Sequence, residues 1–135
     1  MIKIVNENLN PAKITTSSND CYIRAISKIL DLPWDNVYIQ LFNIGFEKKM
    51  GMNHHKVLCE FLKRYDYSCR IMREDDRKPL DIFLSNLSDG KYIIGTNNHC
   101  FAFIDGTVYD KNLDQEYLST HNIIYYFHKV NRMVW

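Results

Sequence analysis

The dipeptide Asp105-Gly106, set between the apolar runs Cys100–Ile104 and Thr107–Asp110, constrains this chain more than any other feature. Asp-Gly is favoured in two-residue hairpin loops, and such a loop fixes the pairing register of its strands. With Asp105 and Gly106 as the loop, Ile104 pairs with Thr107, Phe101 faces Asp110, and His99 sits opposite Asn112. Strand side chains alternate between faces, so His99 and Phe101 share a face with Asp110 and Asn112. A carboxylate diagonal to an imidazole can accept one ring proton and fix the tautomer. A loop one residue longer or shorter would put His99 and Asp110 on opposite faces.

The rest of the chain changes its hydrophobic period part-way along. The run Thr15-Thr16-Ser17-Ser18-Asn19-Asp20 is rich in helix-capping residues, and from Cys21 to Leu30 the residues Tyr22, Ala25, Ile26, Ile29 and Leu30 recur at helical spacing. Arg24, Ser27 and Lys28 take the other face. Pro33 suits the first position of a second helix, with Trp34, Val37, Tyr38, Leu41 and Phe42 as its buried stripe, and Gly45 and Gly51 bracket a basic connector. A third helix over 53–65 carries Val57, Leu58, Phe61, Leu62 and Tyr65. Tyr67, Cys69 and Ile71 then alternate with polar residues as a strand does. A charged loop leads to Pro79 and a short helix bearing Leu80, Phe83, Leu84 and Leu87. Further strands are expected over 91–95 and 122–130, with a short edge strand at 1–5. The order gives an α+β fold, N-terminal helices packed on a C-terminal antiparallel sheet, as two layers sharing one core.

At 135 residues without repeats or linkers, the chain reads as a single domain spanning 1–135. A net charge of +1 offers no footprint for nucleic acid or an anionic membrane, and no stretch has the length of a membrane span. Residues 1–10 lack the apolar core of a signal peptide, so a cytoplasmic location is expected, with Cys21, Cys59, Cys69 and Cys100 as reduced thiols.

A thiol attacks well only as thiolate. Cys21 in the first turn of a helix would face unpaired amides and the positive end of the macrodipole, both of which lower its pKa. An imidazole beside it would lower the pKa further and later protonate a leaving group. Of His54, His55, His99, His121 and His128, only His99 is tied to a geometry the sequence dictates. Cys21 as nucleophile, His99 as base and Asp110 as orienting group form the candidate catalytic set, needing no cofactor and no metal.

These residues carry a resemblance. Asn19-Asp20-Cys21-Tyr22-Ile23-Arg24-Ala25-Ile26, followed by Gly90-Lys91-Tyr92-Ile93-Ile94, His99, Ala102, Asp105-Gly106 and Tyr109-Asp110, resembles the papain-like cysteine peptidase fold. The likeness is to the compact form found in the leader peptidases of bacteriocin exporters, and closer still to a group of small phage and bacterial papain-like proteins. It implies a cysteine peptidase or isopeptidase acting on a protein or peptide substrate, in the host cytoplasm if phage-encoded. It also implies an oxyanion partner upstream of the cysteine. Papain relatives carry Gln six residues before the nucleophile. Here that position is Thr15, which leaves the backbone amide of Cys21 with Asn19 or Thr16 for the role. The Thr15 departure also suits an alternative: a binding protein that keeps the fold without turnover, such as a phage protein engaging a host factor. A thiol acyltransferase on the same constellation is a further alternative.

The remaining thiols and histidines read as structural. Cys100 points to the face opposite His99 and belongs to the core, as do Cys59 and Cys69. His55 and Cys59 share a helix face at i and i+4 and could supply two zinc ligands, but no matching spacing supplies another pair. A surface helix start is the default for them.

Overall fold

A computed structural model describes residues 1–11 and 20–130. Its strands are β1 (Lys3–Asn6), β2 (Tyr67–Ile71), β3 (Lys91–Gly95), β4 (Cys100–Ile104), β5 (Thr107–Asp110) and β6 (Tyr125–Lys129). They form one sheet in the order β1-β5-β4-β3-β6-β2. Among the described residues five α-helices accompany it: α1 (Cys21–Leu30), α2 (Trp34–Lys48), α3 (His55–Lys63), α4 (Leu80–Ser85) and α5 (Gln115–Thr120). The molecule is therefore mixed α+β, and among the described residues no helix is long and apolar enough to cross a membrane.

The Asp105-Gly106 turn has positive φ at both residues, 47° and 84°, as a primed two-residue turn requires. It sets the pairs Ile104 with Thr107, Phe103 with Val108 and Ala102 with Tyr109. That is the register expected from the dipeptide, but the ladder ends at Ala102 and Tyr109, short of the expected pairs Phe101 with Asp110 and His99 with Asn112. The sheet is not wholly antiparallel, however, because β1 pairs parallel to β5 along its outer edge. Running that way, β1 delivers the chain to the end of the sheet where β5 finishes at Asp110, and Glu7 N–H donates to the Asp110 carbonyl at 2.9 Å. Helix α1 starts nearby at Cys21.

Two cores replace the expected single one. On one face α1, α2 and α3 pack with Ile93, Cys100, Ala102 and Phe127. On the other, α4 and α5 pack with Ile94, Phe101, Phe103 and Val108. The cause lies in β3 and β4, where Ile93-Ile94 and Phe101-Ala102-Phe103 are apolar at consecutive positions. Such a strand has no solvent face and must be covered on both sides. Helix α5, which no hydrophobic period in the sequence announces, supplies part of that second cover. Its Asp114 cap accepts from Tyr117 N–H at 2.9 Å, and it buries only Leu118.

Helix α2 also departs from expectation. Its buried stripe is Val37, Leu41, Ile44 and Gly45, while Tyr38 and Phe42 face solvent. Continuing the period to Ile44 turns the stripe away from Tyr38, and Gly45 lies inside the helix. A side chain there would meet the Met50 carbonyl at 2.7 Å.

Candidate active site

Cys21 is the first residue of α1, and Ile23, Ala25, Ile26 and Ile29 anchor that helix against the sheet. The anchoring sets its N-terminal end over the edge where β4 begins and β5 ends. His99 immediately precedes β4 and Asp110 closes β5, so the three candidate residues meet at one end of the sheet. His99 Nε2 is hydrogen-bonded to Asp110 Oδ2, which leaves Nδ1 as the ring nitrogen free for Cys21, the thiol whose charge His99 feels.

Electrostatics favour a charge-separated pair. The Cys100 thiol donates to the Cys21 sulfur, with 3.7 Å between the sulfurs. That contact is the largest influence on Cys21. Burial opposes it, but hydrogen bonds from His99 and the Cys100 amide, with the imidazolium charge, bring the Cys21 thiol down to about 4. For His99, burial works against protonation. Hydrogen bonds to Asp110 and Cys21 and their negative charges overcome it, holding the imidazole up at about 9. Between those limits the sulfur is thiolate and the ring imidazolium, which is the reactive form of a cysteine nucleophile. Cys100 moves the other way. Its contact with Cys21 and its burial push it well above the ordinary thiol range, so it stays a donor.

Asp110 is only 5% exposed, and a carboxylate so buried needs partners. One oxygen serves His99; the other accepts from Arg24 Nη1 at 2.6 Å. Arg24 Nε in turn donates to Asp20 Oδ1 at 3.1 Å. Asp20 precedes the helix but lends its first turn no side-chain cap. Its other oxygen accepts from Trp34 Nε1 at 3.1 Å and from Asn10 Nδ2 at 2.8 Å. Burial alone would raise the Asp20 carboxyl; the Arg24 charge and these donors outweigh it and hold the group below its ordinary value. Arg24 was expected on the outer face of α1 with Ser27, yet both are buried. The signal was present in the sequence: a residue three after Cys21 lies on the same side of the helix.

Cys100, the first residue of β4, enters the face that α1 covers. It therefore joins the site as well as the core. Tyr125 at the start of β6 acts on Cys100 as well, its hydroxyl favouring the charged sulfur. Its ring lies over Gly95, where an added Cβ would come within 2.1 Å of it. Above His99, the Tyr117 ring of α5 makes an edge contact at 6.1 Å, and its hydroxyl is 2.9 Å from Thr96 Oγ1. A cavity of about 340 Å³ opens beside His99, lined by Arg24, Asn98, Asn112 and Tyr117 among others. The oxyanion candidates Thr16 and Asn19, with Thr15, lie outside the described residues. No protein-family model, curated protein or solved structure matches this chain.

Proposed function

We propose that this chain is a papain-like cysteine hydrolase, a peptidase or isopeptidase, with Cys21 as nucleophile, His99 as acid and base, and Asp110 as orienting group. One observation carries the reading: a sulfur at a helix start interacts electrostatically with an imidazole that is itself held by a buried carboxylate. Three unrelated stretches of sequence converge to make that arrangement. A thiol and an imidazole in a purely structural role have no need of the carboxylate, nor of the arginine that fixes it.

In this mechanism the Cys21 thiolate attacks an amide or isopeptide carbonyl carbon, forming a C–S bond and a tetrahedral oxyanion. His99 gives its proton to the departing nitrogen as the C–N bond breaks, leaving a thioester and a free amine. Water then attacks the thioester while neutral His99 takes its proton. The C–S bond breaks, releasing the acid and restoring the thiolate. Asp110 stabilises the imidazolium and holds its tautomer, and Arg24 holds Asp110.

Selective alkylation tests the reading without knowledge of the substrate. Iodoacetamide at limiting concentration and pH 6 should modify Cys21 far ahead of Cys59, Cys69 and Cys100, and His99→Ala should slow the modification of Cys21 and narrow its lead. Equal, slow labelling of all four thiols would instead support a binding protein that keeps the fold. An acyl probe retained as a thioester until an amine is added would point to acyl transfer.

A further inference from the structure

We propose that His55, Cys59 and Cys69 form a binding site for a zinc-class divalent cation, separate from the Cys21 site. The sequence offered two of these residues at helical spacing; the fold contributes the third from β2. Helix α3 and β2 are joined by the short turn at Arg64–Asp66 and pack directly together, which lays Cys69, the central residue of β2, against Cys59. The His55 nitrogen and the two sulfurs all lie within 4.8 Å of one another.

The distances suit a shared ion. Cys59 Sγ is 3.4 Å from His55 Nε2. A tetrahedral N–Zn–S edge built from bonds of ~2.05 and ~2.3 Å spans about 3.6 Å. Little rearrangement is therefore needed along that edge. The adjacent histidine is otherwise engaged, because His54 Nδ1 caps α3 by accepting from Lys56 N–H at 3.1 Å. The His55 ring is supported by Phe127 and Tyr125, each with its centroid 6.3 Å away, which fixes its plane from the apolar side.

Ligand chemistry selects the ion. Two thiolates and a neutral imidazole balance a divalent charge, and thiolate with imidazole favours zinc over magnesium or calcium. The three ligands border a cleft of about 500 Å³, so a fourth position has room for water. The ion would tie the start of α3 to β2, which is the edge strand of the sheet. Binding displaces the thiol protons, so affinity should rise with pH.

The test uses full-length protein, freed of metal by a chelator and kept reduced with a phosphine. Cobalt(II) titration should give the visible bands of a tetrahedral ion and a thiolate charge-transfer band. Both should survive Cys21→Ala and vanish in Cys59→Ser and Cys69→Ser. Zinc should displace the cobalt and raise Tm by roughly 5–10 °C at free zinc a hundredfold above Kd. In wild-type protein zinc should also shield Cys59 and Cys69, but not Cys21, from alkylation, a readout that needs no variant to fold. Bands lost in Cys21→Ala, absence of tetrahedral bands, or a Cys59–Cys69 disulfide in freshly purified protein would each overturn the proposal.

Discussion

Asp110→Asn removes a charge while keeping the shape of the side chain, and the surroundings dictate how the amide must sit. Arg24 Nη1 holds one Asp110 oxygen at 2.6 Å, while the other oxygen serves His99. Asparagine has a single acceptor oxygen, which Arg24 would claim, turning the NH₂ group toward His99 Nε2. Two donors cannot face each other, so Nε2 must lose its proton and His99 becomes neutral. In the native site the imidazole is held up at about 9 against its burial, with Asp110 supplying the leading favourable contact. Without that contact the alkaline limit should fall by roughly 2 pH units. Cys21 loses its cationic partner but keeps the Cys100 donors, so the half-point of its alkylation should rise from about 4 by roughly 1–2 pH units. Acyl-probe turnover at neutral pH should drop roughly 10²–10³-fold. The assay is the rate of Cys21 alkylation against pH, read by mass spectrometry. Adding Arg24→Met supplies the decisive arm. With no guanidinium to claim the oxygen, the amide can flip and accept from Nε2–H, so the double variant should react about tenfold faster than Asp110→Asn alone, a recovery of ~1.4 kcal/mol. A double variant slower than the single one, or an Asp110→Asn profile that overlays wild type, would refute this account.

Cys100→Ala removes the strongest influence on the Cys21 thiol, so it should move the acid limb of alkylation upward more than His99→Gln does; the reverse order would contradict the assigned donor. Hydrogen peroxide should convert the Cys21 thiolate to a sulfenic acid, the departing hydroxide taking a proton from the His99 imidazolium to leave as water. The Cys100 thiol, its sulfur 3.7 Å away, would then condense with it, releasing a second water and forming a disulfide. A joined Cys21–Cys100 peptide that a dithiol reverses is the expected product, and sulfinic acid at Cys21 with no joined peptide would count against it. Gly95→Ala places a methyl within 2.1 Å of the Tyr125 ring and should destabilise the fold by roughly 1–3 kcal/mol in urea unfolding. Asp20→Asn removes a carboxylate whose folded pKa is depressed. That stabilisation is present above the unfolded pKa and is lost as pH falls through the folded one. The variant should therefore be less stable than wild type at pH 7, by roughly 1–3 kcal/mol, with the gap closing below pH 4. A gap that persists to pH 2 would mean the charge is not what Asp20 contributes.

What the sequence made legible was local in origin. Asp105-Gly106 dictates a turn from its own backbone preferences, and the turn alone sets a register three pairs long. Cys21 opens α1 where the run of helical period begins, directly after Asp20. What stayed hidden depends on which face of an element is covered, and by what. Arg24 looks solvent-facing when α1 is read alone, and only the arrival of Asp110 from β5 makes its burial tolerable. Cys100 belongs to the core as expected, but that α1 would bring Cys21 against it is a matter of packing. Cys69 met His55 and Cys59 for the same reason. The consecutive apolar residues of β3 and β4 did carry the news that both faces are buried, and with it the need for α4 and α5 on the far side. A charged residue on an otherwise apolar helix is thus best read as a demand for a partner from elsewhere in the chain. Arg24 makes that demand, and Asp110, the residue that also holds His99, answers it. Stability and the orientation of the imidazole therefore rest on the same carboxylate, so a change to Arg24 should alter the reactivity of Cys21 without touching its sulfur.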